Sequence, residues 1–395
     1  MHYRTLKILT SLFMAIVIVV VLVAARSTLW PSEETDVTTT PEQTTQGLAT
    51  EPPDPTESAA PTTVADPVPL PVAIGQATTE PGQSLRRWPE DLSIPLLREP
   101  DLSLYAGRKK TEKPLEGITV ILDPGHGGQD GGAQYPVKVL YPDVAEKDIV
   151  LSLSLKVRDQ LEQLGADVVM LRETDVWQSV YYRIALVNRW IYQDFMEQLP
   201  YHGYESSSVD HLLPPLETML EINSDYASSG GRGPMNGVGT HEDVKVLLDM
   251  QAQYTDVLFL SIHCNALDDD RVGGLQVYYL TNDHVHQTEN NWVSGADPMA
   301  NPPSYTRYDD EARLRLAELV RDQIIDRLPE LKFPGENDLL PGNYVVLREI
   351  ALTGLLIETG FITNEQDRAI LTSVDGQTKI SEGIAEAVFA YYCRP

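Results

Sequence analysis

An α/β sandwich is the fold class this sequence predicts, on three observations. Apolar runs of strand length recur at 118–122, 167–171, 257–262, 274–280 and 355–357. Segments of helical periodicity alternate with them, near 145–164, 176–190, 310–328 and 376–392. Several of the runs end in ionisable side chains, which is where open α/β sheets place their sites.

The first run, Ile118-Thr119-Val120-Ile121-Leu122, feeds Asp123-Pro124-Gly125-His126-Gly127-Gly128. Its glycines let the backbone turn tightly and leave the His126 imidazole free to face a cleft. A lone histidine of this kind is more often capped or structural, so the reading depends on partners. The run 257–262 supplies one by ending at His263. Between the two, Glu146 opens a helical segment whose Ile149, Leu153, Leu155, Val157, Leu161 and Leu164 form an apolar face at roughly helical spacing. A carboxylate also suits the first turn of a helix for purely electrostatic reasons. Two imidazoles and one carboxylate together make a borderline-soft site that suits a single Zn2+ and leaves one position for water. The run 355–357 leads into Glu358, and Gly360 follows. Glu358 is therefore the catalytic candidate, a carboxylate able to take a proton from water and pass it to a leaving nitrogen. Zinc would acidify the water to a pKa of about 7 and polarise the carbonyl.

These residues resemble the zinc-dependent N-acetylmuramoyl-L-alanine amidases of the Amidase_3 type. The likeness runs from about 117 to 392 and is carried by Ile-Leu-Asp-Pro-Gly-His-Gly-Gly at 121–128, Glu146, Ser-Ile-His-Cys-Asn-Ala at 261–266 and Ile-Glu-Thr-Gly-Phe-Ile-Thr-Asn at 357–364. The resemblance implies a mixed, mostly parallel sheet flanked by helices, zinc on His126, Glu146 and His263, and Glu358 as the catalytic carboxylate. It also implies the reaction, hydrolysis of the amide between N-acetylmuramic acid and the L-alanine of the peptidoglycan stem. Arg172 and Asp175 resemble the family's Arg-x-x-Asp turn, and Arg183 and Asn188 continue its helical pattern; all four are expected to serve structural pairing, with Arg172 bridging to Asp175.

The chain departs from the family in a long insertion, about 190–255, whose middle at 224–240 is rich in Gly, Ser, Asn and Pro. It is expected to stay out of the core, with one helix at 242–254, and three roles stay open for it: a wall of the substrate groove, a lid, or a surface for a regulatory partner. A second variable segment, 281–309, carries His284 and His286, which are expected to be solvated.

Ahead of the catalytic domain at 115–395 lie two further segments. Residues 1–27 contain the apolar run 8–25 behind His2, Arg4 and Lys7, the pattern of an N-terminal membrane anchor, with a signal segment cut after Val23-Ala24-Ala25 as the alternative. Residues 28–97 repeat Thr, Pro and Glu, and are expected to form a disordered tether. The expected location is extracytoplasmic, on the membrane or secreted.

A net charge of −28, with 58 acidic against 30 basic residues, argues against nucleic acid as a partner. Two cysteines, Cys264 and Cys393, are too few for a disulfide scaffold. Cys264 adjoins His263, but strand neighbours point to opposite faces, so its sulfur is expected in the core. No Gly-Lys-Ser/Thr follows the glycines at 125–128, and no Gly-x-Ser-x-Gly elbow occurs. The readings that compete with the amidase are a zinc carboxypeptidase acting on stem peptides and a non-catalytic wall-binding module.

Overall fold

The structure, a computed structural model, describes residues 94–98, 102–137, 141–224, 233–234, 246–285, 308–335 and 337–394. All of them belong to one compact unit. The expected anchor at 1–27 and nearly all of the tether at 28–97 lie outside the described residues. Among those described, no helix is long and apolar enough to cross a membrane.

Six strands form the central sheet: β1 (Thr119–Pro124), β4 (Asp167–Met170), β5 (Val257–Asn265), β6 (Gln276–Tyr279), β7 (Leu339–Pro341) and β8 (Thr353–Phe361). Their order is β4-β1-β5-β8-β6-β7. The pairs β1–β4, β1–β5 and β5–β8 are parallel, and β6 runs antiparallel to β8. The mixed, mostly parallel sheet is therefore as expected. A separate two-stranded ribbon, β2 (Gln134–Tyr135) with β3 (Val144–Ala145), leads into helix α1 (Glu146–Gln163).

Both faces of the sheet are covered, and the side chains divide with period two as the pleat demands. Val120, Leu122, Leu258, Leu260, Ile262, Leu355 and Ile357 enter one apolar cluster together with α1, α5 (Asp310–Arg327) and α8 (Val374–Cys393). Ile121, Val257, Phe259 and Leu356 enter the other, with α2 (Val180–Gln198), α3 (Leu213–Asn223), α4 (Leu247–Gln251) and α6 (Val345–Arg348). Helix α7 (Glu365–Thr372) follows β8, capped by the Asn364 side chain, which accepts from the Gln366 and Asp367 amides.

Three expectations need correction. The insertion does build core: Leu199, Val209, Leu212, Leu216, Met219 and Leu220 are buried, because α3 repeats its apolar residues at helical spacing and lies on α2. The tether does not extend to 97, since Ile94 and Leu97 are buried and the Leu97 amide donates to Gln253 Oε1 over 2.9 Å. Strands β5 and β8 run past the ends read from hydropathy alone, because their backbone ladder continues through the polar positions. His263 and Glu358 are thus inside strands and directly opposite each other in register.

Candidate metal centre and active-site cleft

The parity of the strands decides which residues meet. On the α2 face, β1 continues from Ile121 to Asp123, β5 from Phe259 to Ser261 and His263, and β8 from Leu356 to Glu358. The apolar face turns polar towards the carboxyl ends of the strands, and a cleft of about 570 Å³ opens there. His126, His263 and Glu358 line it.

His126 follows β1 with φ +62, a left-handed conformation unusual for a side chain with a Cβ. Surrounding bonds hold it there. Arg172, which is buried, donates to the carbonyls of Pro124 (3.0 Å), Gly125 (2.8 Å) and Lys147 (2.8 Å). Lys147 Nζ donates to the Gly128 carbonyl at 2.8 Å and to Asp175 at 2.7 Å, and Asp175 also accepts from the Gly128 amide at 2.7 Å. The expected Arg172–Asp175 bridge is therefore replaced by Lys147–Asp175, because the guanidinium is consumed by backbone carbonyls. Gly125 admits no side chain, since a Cβ there would stand 2.2 Å from the His263 ring.

Glu146, the first residue of α1, reaches the cleft end from the opposite face. Its Oε2 lies 3.1 Å from His126 Nε2, and its Oε1 lies 2.9 Å from His263 Nδ1. The amides of Ala133 (2.7 Å) and Cys264 (2.9 Å) also donate to it. Burial works against its ionisation, but the two histidines outweigh burial and hold the carboxyl well below the usual range. The ligand atoms of His126, Glu146 and His263 lie within 4.8 Å of one another, and among the described residues these three form the group able to hold a metal ion. His126 Nδ1 meets Asp130 Oδ2 at 2.8 Å, which fixes the ring's orientation. Burial lowers the His126 pKa, yet hydrogen bonds to Asp130 and Glu146 overcome it and raise the group to about 9.

Glu358 faces the same space. Burial lifts its carboxyl to about 7, against the pull of His263, and its Oε2 is buried with no hydrogen-bond partner. A nitrogen-and-oxygen donor set beside an orphaned buried carboxylate oxygen fits a borderline divalent ion such as zinc. Cys264 points into the core on the other face, 3.4 Å from Thr359 Oγ1, and burial raises its thiol well above the ordinary value, so it remains a neutral core residue. His284 pairs with Thr281 Oγ1 at 2.8 Å away from the centre, and His286 lies outside the described residues.

The sequence reading brought four residues to one place and missed three others. Asp130 carried a faint signal, a carboxylate four residues after His126. Ser261 carried none, since it stands inside the apolar run 257–262, and Asp123, which follows the run 118–122, shows no partner in the sequence because Arg183 and Ser261 lie 60 and 138 positions away. Arg183 Nη1 donates to Asp123 Oδ1 at 2.7 Å, and Ser261 donates to Asp123 Oδ2 at 2.7 Å. Asn188 accepts from Gln251 Nε2 at 2.7 Å, while Gln251 Oε1 accepts from the Ala351 amide at 2.7 Å. Asn188 therefore serves structural pairing, as expected.

The family described as Amidase_3, N-acetylmuramoyl-L-alanine amidase, matches residues 120–197 and 237–390, leaving out most of the insertion. The germination-specific N-acetylmuramoyl-L-alanine amidase of Bacillus subtilis is 23% identical over 281 residues, 71% of this chain and 81% of the relative. The probable cell wall amidase LytH of Staphylococcus aureus is 36% identical over 196 residues, 45% of this chain and 64% of the relative. The amidase AmiC of Neisseria meningitidis is 25% identical over 289 residues, and the chain spans 52% of its length. Among solved structures, the CwlD amidase of Clostridioides difficile in complex with the GerS lipoprotein is 21% identical with a TM-score of 0.42, covering 69% of this chain and 98% of that one. The chain belongs to the Amidase_3 family, and its enzyme class is N-acetylmuramoyl-L-alanine amidase.

Proposed function

We propose that the protein hydrolyses the amide joining the lactyl group of N-acetylmuramic acid to L-alanine in peptidoglycan, with His126, Glu146 and His263 holding one zinc ion and Glu358 moving the proton. The observation that carries this reading is the convergence of the three ligand atoms beside the buried, unpartnered carboxyl of Glu358. Zinc, when bound, supplies Lewis-acid polarisation of the scissile carbonyl and makes water acidic enough to attack near neutral pH.

The chain's own residues supply the rest. Ionised Glu358 accepts a proton from the attacking water; as the carbon–nitrogen bond breaks, it returns that proton to the departing alanine nitrogen, leaving a free amine and a lactyl carboxylate. Burial raises this carboxyl to about 7 in the metal-free protein, and a divalent ion beside it would pull it back towards the ionised form that the proton-accepting step needs. Asp130 keeps the His126 ring oriented. Val180, Tyr181, Tyr344 and Val345 give the cleft an apolar lining beside the reacting groups.

The insertion supports this lining. Ser179 donates to the Asn223 carbonyl at the end of α3 over 2.8 Å, and Asn223 Nδ2 donates to the Tyr181 carbonyl at 3.3 Å, so α3 braces the turn of α2 that lines the cleft. A groove-supporting role is the reading we favour for it, with a regulatory surface as the second. Localisation outside the cytoplasm, on an anchor formed by 1–27, rests on composition alone.

The test is incubation of the purified protein with peptidoglycan, with and without chelator. Stem peptides with free amino-terminal L-alanine, released only in the absence of chelator, are the expected result. Shortened stems on intact lactyl amides would establish a carboxypeptidase instead, and no release at all would establish a binding module.

A further inference from the structure

Arg183 is buried, at 4% exposure, yet it lines the catalytic cleft from the first turn of α2. One end of its guanidinium is fixed, with Nη1 donating to Asp123 Oδ1 at 2.7 Å, and Asp123 is itself fully buried and held by Ser261. The side-on edge, Nε with Nη2, is unused. Nε is sequestered from water with no partner at all, and Nη2 makes no hydrogen bond with a described residue.

A charged donor left unpaired in a buried setting is costly, and such groups are kept where a ligand completes them. The free edge presents two parallel N–H groups at the spacing of a carboxylate's two oxygens. A carbonyl or a sugar hydroxyl would satisfy one donor and strand the other. Lysine, with a point charge and no fork, would not reproduce this geometry.

We propose that Arg183 is the cleft's recognition group for a carboxylate on the stem peptide of the substrate, which it binds through Nε and Nη2 once substrate entry displaces the neighbouring side chains that shield Nε, while Asp123 and Ser261 hold the guanidinium in place. The inference rests on the amidase reading above and adds a specificity to it: stems whose carboxylate next to the scissile alanine is free are preferred over stems in which that group is amidated.

The test compares two soluble substrates, muramoyl-L-alanyl-D-glutamate with its γ-carboxylate blocked as an amide, and the same compound with the α-carboxylate also converted to carboxamide. The wild-type protein should cleave the free acid with a kcat/KM higher by roughly ten- to a hundredfold, mostly through KM. Arg183→Lys keeps the charge beside Asp123 and should reduce that ratio towards one. A preference for the free acid in the wild type that vanishes in Arg183→Lys supports the proposal. Equal kcat/KM on both substrates in the wild type, or an undiminished preference in a folded Arg183→Lys protein, overturns it while leaving the amidase reading intact. If the lysine variant does not fold, the wild-type ratio decides alone, together with inhibition by the two released dipeptides, where equal inhibition overturns the proposal. Cleavage of neither substrate would overturn the amidase reading and the specificity with it.

Discussion

The two faces of the central sheet are filled in different ways. Against α1, α5 and α8 strand β5 is apolar to the end: Leu258, Leu260, Ile262 and Cys264 follow one another along it without interruption. Against α2 the same strand begins with Val257 and Phe259 and finishes with Ser261 and His263. The first face is closed and dry, and the second is half core and half cleft. The difference shows how a period-two element can serve stability and chemistry at once: one parity holds the sheet down while the other delivers Asp123, His263 and Glu358 to one end. Glu146 alone crosses from the closed face, by standing at the very start of α1 where the helix meets the cleft.

The largest expected effect comes from breaking the cleft half. His263→Ala should remove stoichiometric zinc from the purified protein while the closed face keeps it folded, whereas Glu358→Ala should retain zinc and fold and lose turnover by at least about a hundredfold. Elemental analysis and peptidoglycan release separate the two, and unaltered zinc in His263→Ala would refute the ligand assignment.

Next is the core half of the same face. Leu216→Ala in α3 opens a cavity at a fully buried site and should cost about 2–5 kcal/mol in denaturant unfolding. A loss under about 0.5 kcal/mol would mean that the insertion contributes nothing to the core.

Burial of Glu358 makes a pH prediction for the chelated protein. Its folded pKa of about 7 is raised above the ordinary 4.5, so its favourable contribution is complete below 4.5 and is lost as pH rises through 7. Glu358→Gln should therefore gain stability relative to wild type across that window, by on the order of 3 kcal/mol at most, with no difference below pH 4.5. A pH-independent difference would show that the carboxyl is not held up by desolvation.

The smallest effect sharpens the link between insertion and cleft. Ser179 caps α2 by accepting from the Tyr182 amide at 3.0 Å, besides its bond to Asn223. Ser179→Ala should cost about 1 kcal/mol and raise KM more than it lowers kcat, since it loosens the lining but leaves the reacting groups in place.

Much of the site was legible because its residues sit beside strong local signals. His126 and His263 follow long apolar runs, Glu146 opens a clear amphipathic helix, and Glu358 stands between an apolar run and Gly360. Helix bounds were read closely for α1 and α5, where apolar spacing is regular. Strand ends were not, because a polar side chain inside a ladder looks like a terminus when only hydropathy is read; β5 continues through His263 to Asn265. The packing of the insertion leaves no local signal for a related reason: its Gly- and Ser-rich middle reads as loop, and the burial of Leu212, Leu216, Met219 and Leu220 depends on α2 being there to receive them.

By itself the sequence determined the α/β alternation, the family and the identity of the four residues around the centre, since each is written in local periodicity or in a short motif. Only the tertiary structure decided that Asp130 orients His126, that Lys147 rather than Arg172 engages Asp175, and that Arg183 is pinned by Asp123 with one edge unpaired. Those pairings join residues 28 to 60 positions apart across separate strands and helices, or depend on the handedness of one loop. Hydrogen-bond geometry of that kind is fixed by packing and leaves no periodic trace in the chain.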